Sequence, residues 1–221
     1  MKINITFNGN DGCGKTTQFN VMKKEYGDFI YFANDISTFN IFPNKQGDDF
    51  FEWWFFDSDL KDFAEIIYKG IFLQKEQIEK CDKKLIITDK GILTFDARIM
   101  ANFLTRGYKI NTIQSVLDEL KVRYLNFENH KDVDLFFLVN DDLIKKRIEN
   151  RKENDDNNSY NEYYNLYQNN LKKIMLEQVK KGKYLLIDAE STVADTTFVL
   201  EEVICDISEN NDINIKKYCL R

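Results

Sequence analysis

The sequence has a single proline, a single histidine and no long apolar run among its 221 residues. One histidine, His130, excludes a metal centre built from several histidines, and its polar neighbours predict a solvated loop position. Since no apolar stretch approaches about 20 residues, we expect neither a membrane span nor a signal peptide. No break in composition marks a linker, so we expect one domain over residues 1–221.

Closely spaced cysteines are also lacking, because the four cysteines are scattered and form no C-x-x-C motif. This spacing argues against a zinc site and against a disulfide framework. We therefore expect reduced thiols in a cytoplasmic protein at all four positions: Cys13, Cys81, Cys205 and Cys219.

An excess of positive charge is missing as well, because the formal net charge is −6 and the pI is about 5.0. Binding to a nucleic acid duplex needs a stripe of cations along the phosphate backbone, whereas a free nucleotide needs only a local cluster. The composition therefore excludes nucleic acid as a partner and leaves small nucleotides open.

Short apolar runs alternate with longer segments of helical period, which is typical of βαβ units. The runs are nearly all apolar, as expected for strands covered on both faces. We predict an α/β fold with a doubly wound parallel sheet of five strands, the first strand central, and strands at 3–7, 29–33, 85–88, 135–139 and 184–187. Helices are predicted at 15–25, 60–81, 94–105, 112–127, 141–151, 160–181 and 192–207.

A phosphate-binding loop (P-loop) is the strongest motif, since residues 9–16 match G-x-x-x-x-G-K-[ST] between a predicted strand and a predicted helix. Its backbone N–H groups and the helix N-terminus would bind phosphate oxygens. Lys15 would reach the β- and γ-phosphates of ATP, and the Thr16 hydroxyl would bind Mg²⁺. The predicted ATP-binding residues are Gly9, Asn10, Asp11, Gly12, Cys13, Gly14, Lys15, Thr16 and Thr17.

A second element supports a magnesium site. The apolar strand 85–88 ends in Asp89, which parallel-sheet topology would bring next to the P-loop. A carboxylate there can hold Mg²⁺ or its water shell. Thr16 and Asp89 are therefore the predicted metal-site residues.

The sequence of the P-loop resembles that of thymidylate kinases. These enzymes carry an acidic residue inside the loop, as at Asp11 here, and Thr-Thr-Gln after its lysine, as at residues 16–18. Later segments resemble the same family in the same order. They are D-K-x-x-x-T-x-x-A at 89–97, D-L-F-F-L at 134–138, R-x-x-x-R at 147–151, an aromatic helix at 160–167 and I-D-A at 187–189. The resemblance implies a P-loop nucleoside monophosphate kinase fold with a short helical lid at about 147–160.

The resemblance also implies roles for individual residues. Asp11 would contact the 3′-hydroxyl of the acceptor sugar. Family members with a small residue at the position of Gly12 take their catalytic cation from the lid, which implies Arg147 and Arg151. Lys90 stands where the family has an arginine that touches the transferred phosphate.

The acceptor side departs from the family. Gly91 replaces a frequent aromatic residue, and 34–36 (N-D-I) replaces an Arg-Glu-Pro-Gly-Gly loop. A monophosphate acceptor, dTMP above all, would need cations from outside the P-loop, and we expect Lys90 and Arg98, on either side of Thr94, to supply them. This predicts ATP-dependent phosphorylation of a nucleoside monophosphate.

One alternative stays open and another is discounted. A deoxynucleoside kinase of the same superfamily would need a carboxylate after the second strand to accept the hydroxyl proton, and Asp35 has that position. A GTPase-type switch would need an Asn-Lys-x-Asp motif, which residues 44–47 (N-K-Q-G) break at the last position. Residues 50–56 (F-F-E-W-W-F-F) pack in the core, line a homodimer interface or stack on a nucleobase, with core packing favoured.

Overall fold

The computed structural model describes residues 1–126, 130–149, 161–211 and 213. Its sheet has five parallel strands in the order β2-β3-β1-β4-β5. The strands are β1 (Lys2–Asn8), β2 (Tyr31–Phe32), β3 (Leu85–Thr88), β4 (His130–Leu138) and β5 (Leu185–Asp188). The predicted α/β fold, with the first strand in the centre, is confirmed.

The described ranges contain eight α-helices. They are α1 (Lys15–Tyr26), α2 (Gly47–Glu52), α3 (Leu60–Lys80), α4 (Ile92–Thr105), α5 (Ile110–Tyr124), α6 (Asp141–Glu149), α7 (Asn161–Lys180) and α8 (Val193–Glu209). Helices α1 and α8 pack on one face of the sheet, and α3, α4 and α7 pack on the other. Of the predicted lid at 147–160, only 147–149 belong to the described residues, and Arg151 lies outside them.

The central strand has one apolar face and one polar face. Ile3, Ile5 and Phe7 are fully buried against α1 and α8. The alternating residues are polar, and each is in register with a residue of β4, in the pairs Lys2 and His130, Asn4 and Asp132, and Thr6 and Asp134. Asn4 Nδ2 donates to Asp132 Oδ1 at 2.7 Å, and Thr6 Oγ1 donates to Asp134. This pairing explains why β4 begins five residues before its predicted start, because its first half is polar and lacks the apolar pattern of a buried strand.

His130 is not the solvated loop residue that the sequence predicted. Its side chain is 2% exposed and lies at the start of β4. Its Nε2 is 2.6 Å from Lys75 Nζ, and its Nδ1 is 2.8 Å from Glu79 Oε1. The prediction was wrong because two charged side chains of α3, distant in sequence, enclose the imidazole.

The aromatic segment forms a helix with a wide final turn. Helix α2 continues into a π-helical turn at Trp53–Asp57, and we call Gly47–Asp57 the aromatic cap. The carbonyls of Trp54, Phe55 and Phe56 accept hydrogen bonds from Asn102 (2.6 Å), Tyr163 (3.1 Å) and Arg106 (2.7 Å) respectively. Side chains of α4, of Arg106 directly after it and of α7 thus satisfy carbonyls that an irregular turn would leave unpaired, and they fix the cap in place.

Two further expectations can be compared with the structure. Cys13 and Cys81 are free thiols as expected, whereas Cys205 is disulfide-bonded, which corrects the expectation for that residue. Within the described ranges, no helix is both long and apolar enough to cross a bilayer.

Candidate active site

The P-loop connects β1 to α1 in a tight turn. Gly14, which precedes α1, has φ 97°, and Gly9 has φ 143°, both in the region that favours glycine. A Cβ at Gly9 would also lie only 2.8 Å from Cys13 Sγ and 3.0 Å from the Phe137 carbonyl oxygen. The glycines of the motif are therefore required by backbone conformation and by close packing against β4.

Lys15 lies inside this turn and is 5% exposed. Its Nζ donates to the carbonyl oxygens of Gly9 and Asn10, at 2.9 and 2.8 Å, and lies 3.3 Å from Cys13 Sγ. The ammonium group is therefore held within the curve of the P-loop, the part of this motif that binds phosphate in P-loop proteins.

Thr16 and Asp89 come together as predicted, with Thr16 Oγ1 3.5 Å from Asp89 Oδ2. Among the described residues, the other carboxylate oxygen, Asp89 Oδ1, is buried and has no hydrogen-bond partner. A hydroxyl and a carboxylate are hard oxygen ligands of the kind Mg²⁺ prefers, and an orphaned carboxylate oxygen leaves coordination capacity free. These residues fit a magnesium ion.

A cavity of about 350 Å³, which we call the donor cavity, opens on one side of the P-loop. Its walls include Gly12, Gly14, Arg147 and the loop after β5. Arg147 reaches over the P-loop from α6, with Nη2 donating to the Ala189 carbonyl oxygen at 3.1 Å. In the described part of the chain, its Nη1 is buried without a partner. This guanidinium therefore has a free donor beside the P-loop, as the lid interpretation requires.

A second cavity of about 460 Å³, the acceptor cavity, opens on the other side of the P-loop. Its polar lining comes from the carboxyl ends of the strands, the P-loop and α4, where ligands of parallel α/β sheets bind. The aromatic cap and α7 provide most of the apolar lining. The lining residues are Asp11, Asp35, Ile36, Ser37, Phe42, Gly47, Phe50, Phe51, Trp54, Phe55, Lys90, Phe95, Arg98, Tyr164 and Tyr167.

The four charged residues of the acceptor cavity form ion pairs. Lys90 Nζ lies 2.9 Å from Asp35 Oδ2 and 3.2 Å from Asp89 Oδ2. Arg98 Nη2 lies 2.7 Å from Asp11 Oδ1. The structure thus brings together every predicted acceptor residue except Thr94, but it joins the expected cations to carboxylates.

Asp35 caps a short 3₁₀-helix (Ile36–Phe39) and accepts a hydrogen bond from the Ser37 backbone N–H at 2.9 Å. Burial raises the pKa of this carboxyl, but the Lys90 ammonium and the hydrogen bonds from Ser37 outweigh burial and lower it. Its side chain is still 36% exposed, so it is an ionised carboxylate that a bound molecule can reach.

Asp11 is held by two further side chains that the sequence did not single out. Tyr164 Oη and Gln168 Nε2, both on α7, donate to Asp11 Oδ2 at 2.9 and 3.0 Å. Burial raises the pKa of Asp11, but Arg98 and Lys15, with these hydrogen bonds, hold it well below its usual range. The aromatic run at 160–167 was a signal for Tyr164; Gln168 had none, because its contact depends on how α7 packs.

Thr94 has a structural position. It is fully buried, and its Oγ1 donates to Asn8 Oδ1 at 2.6 Å. Asn8 Oδ1 also accepts a hydrogen bond from the Gly91 backbone N–H at 3.0 Å. Thr94 and Gly91 therefore fix the start of α4 to the central strand, and Thr94 is not among the residues that line the cavity.

The fold is similar to solved structures of deoxyadenosine kinase from M. mycoides. One, with products dCMP and a flexible dCDP bound, has a TM-score of 0.63 and 16% identity over 92% of this chain and 99% of that chain. One with bound dATP has a TM-score of 0.63 and 17% identity, covering 91% and 99%. One with bound dCTP has a TM-score of 0.60 and 17% identity, covering 92% and 99%. Neither a protein-family model nor a curated protein sequence matches this chain.

Proposed function

We propose that this protein is a deoxynucleoside kinase, which transfers the γ-phosphoryl group of ATP to the 5′-hydroxyl of a deoxynucleoside with Mg²⁺. The donor cavity would hold ATP, and the acceptor cavity would hold the nucleoside. The P-loop lies between them and lines both. This is the second of the readings open from the sequence, and the acceptor cavity is what favours it.

The charge pairing in the acceptor cavity carries the proposal. A nucleoside monophosphate brings a dianionic phosphate, which needs cations that are free to bind it. Among the described lining residues, both cations already have carboxylate partners, Asp35 for Lys90 and Asp11 for Arg98. Two positive and two negative groups give a neutral lining, which suits a neutral nucleoside.

The neighbouring structures agree with this reading. They are of a kinase named for a deoxynucleoside, and their bound molecules are deoxynucleotides. At 16–17% identity the similarity concerns the fold, so the assignment for this chain rests on its own residues.

Asp35 would act as the general base. A 5′-hydroxyl is a weak nucleophile until its proton is removed, and an ionised carboxylate within reach can accept that proton. As the hydroxyl oxygen bonds to the γ-phosphorus, the bond to the β–γ bridging oxygen breaks and ADP leaves. Lys90 holds Asp35 ionised and in place, while Lys15 and Arg147 would neutralise charge on the transferred group.

Thr16 and Asp89 would hold the magnesium ion. Held there, the ion would supply positive charge to offset that of the phosphates. Asp89 Oδ2 also contacts Lys90, so the metal site and the general base share one lysine.

Phosphorylation of a nucleoside monophosphate, dTMP in particular, is the second candidate. Lys90 and Arg98 do both line the acceptor cavity, as that reading predicted. They would have to leave their carboxylate partners to bind a phosphate.

We also propose a single P-loop kinase domain over 1–221, a lid at about 147–160 that includes Arg151, and a homodimer.

One experiment separates the two candidates. Each of the four deoxynucleosides and their 5′-monophosphates is incubated with γ-labelled ATP and Mg²⁺, using the wild type, Asp35→Asn, Arg98→Ala and the control Asp28→Asn. Asp28 is exposed and precedes β2, outside both cavities. We expect nucleoside turnover that Asp35→Asn lowers roughly 10²- to 10⁴-fold and that the control leaves unchanged.

The opposite pattern would establish the monophosphate kinase. In that case deoxynucleosides are inert, Asp35→Asn is tolerated, and Arg98→Ala raises the KM for the monophosphate while the KM for ATP stays nearly constant.

A further inference from the structure

The acceptor cavity has an aromatic wall on the cap side. Phe42, Phe50 and Trp54 form a triangle of rings with centroid separations of 6.0, 5.9 and 5.8 Å. All three line the cavity and are only partly buried. Their exposed ring surface therefore faces the space that a bound molecule would fill.

The charged groups of the cavity are bonded to one another, and two hydroxyl side chains of the lining join them. Lys90 and the Ser37 side chain bond to Asp35, while Arg98 and Tyr164 bond to Asp11. Arg98 Nε is buried and has no hydrogen-bond partner among the described residues. Among the described lining residues there is no asparagine, glutamine or histidine to read the edge of a base.

We infer that the acceptor site recognises the flat faces of a nucleobase and not its edge, so that it accepts purine and pyrimidine deoxynucleosides alike. The inference rests on the proposed function and names its substrate class. Stacking on aromatic rings tolerates any base, because every base has a π-face. Large discrimination between substrates, of 10⁴-fold or more, requires buried polar groups that the wrong substrate leaves unpaired.

The test measures kcat/KM for deoxyadenosine, deoxyguanosine, deoxycytidine and thymidine at saturating ATP. We expect the four values to fall within about 100-fold of one another, the range that shape alone produces. A single nucleoside preferred by 10⁴-fold or more would overturn the inference and leave the proposed function intact. Turnover of monophosphates alone would instead refute the proposed function.

A variant pair tests the mechanism of recognition. Trp54→Leu removes a ring from the wall, and we expect it to lower kcat/KM for all four nucleosides by a similar factor, roughly 5- to 150-fold. Trp53→Leu is the matched control, because Trp53 contacts the same three rings as Trp54 but is not in the lining; these rings are Phe42, Phe50 and Phe63. A loss in Trp54→Leu confined to one base, or an equal loss in both variants, would contradict recognition by stacking. Thermal melting of both variants checks that they are folded.

Discussion

Gly70 lies in the middle of α3, where glycine costs helix stability, and it packs against the segment that carries Asp35, the proposed general base. A Cβ at Gly70 would lie 2.9 Å from Ile36 Cβ and would overlap Ile41 Cδ1. Ile36 lines the acceptor cavity and follows Asp35 directly. We expect Gly70→Ala to displace Ile36 by about half an ångström, the difference from ordinary contact at 3.4 Å, and to carry Asp35 with it.

The magnitude follows from two opposing effects on stability and one on activity. Overpacking costs about 1–3 kcal/mol, while replacing glycine by alanine in a helix gains about 1 kcal/mol. Net destabilisation should therefore stay below about 2 kcal/mol, and the protein should fold. A misplacement approaching 1 Å at a reacting group can cost as much as 10²-fold. We expect kcat/KM for the nucleoside to fall roughly 10- to 100-fold.

The assay is steady-state kinetics on both substrates, with urea unfolding as the check on folding. The KM for ATP should change less than about twofold, because Gly70 does not line the donor cavity. Adding Ile41→Val removes Cδ1 and its overlap but leaves the contact with Ile36, so the double variant should stay impaired. Wild-type kinetics in Gly70→Ala, or recovery in the double variant, would refute control of Asp35 through Ile36.

Three further outcomes are expected. Lys15→Ala should lower phosphoryl transfer more than 10³-fold in the labelled-ATP assay while the thermal midpoint stays within a few degrees; retained activity would mean that the P-loop is not catalytic. Because the pKa of Asp35 is lowered, the carboxylate stays ionised far into acid, so kcat/KM should be flat from pH 8 to about pH 5. Lys90→Met should move the acid limb to higher pH, and a limb near pH 7 in the wild type would contradict Asp35 as the base. Gly91→Ala places a Cβ 2.5 Å from both Asp134 Oδ1 and Thr6 Oγ1, so urea unfolding should show a loss of about 1–3 kcal/mol, and an unchanged midpoint would contradict the tight packing there.

The sequence predicted the parts of the molecule that depend on local pattern. The P-loop, the apolar strands and the acid at the end of β3 are all local signals, and the structure places Asp89 beside Thr16 as expected. Asp35 was also predicted, because its position after β2 is a matter of chain order. Short sequence patterns are enough to predict these features, because none of them depends on a contact with a distant residue.

What the sequence could not predict depends on contacts between distant residues. Arg98 was expected to be free for a phosphate, yet it pairs with Asp11, 87 residues away. The polar half of β4 looked like a loop because its partners are the polar residues of β1. The aromatic cap lines the acceptor cavity instead of packing wholly in the core, and only the packing of α4 and α7 around its π-helical turn decides this.

The P-loop is a wall of both cavities, with Asp11 on the acceptor side and Gly12 to Gly14 on the donor side. A ligand that shifts this turn on one side alters the surface that the other ligand meets. Under the proposed function, the affinities for nucleoside and ATP are then thermodynamically linked, and each ligand changes the affinity for the other by the same factor. The hydrogen bonds from Tyr164 and Gln168 to Asp11 extend that linkage into α7, so residues that touch neither ATP nor the transferred phosphate can set the strength of the coupling.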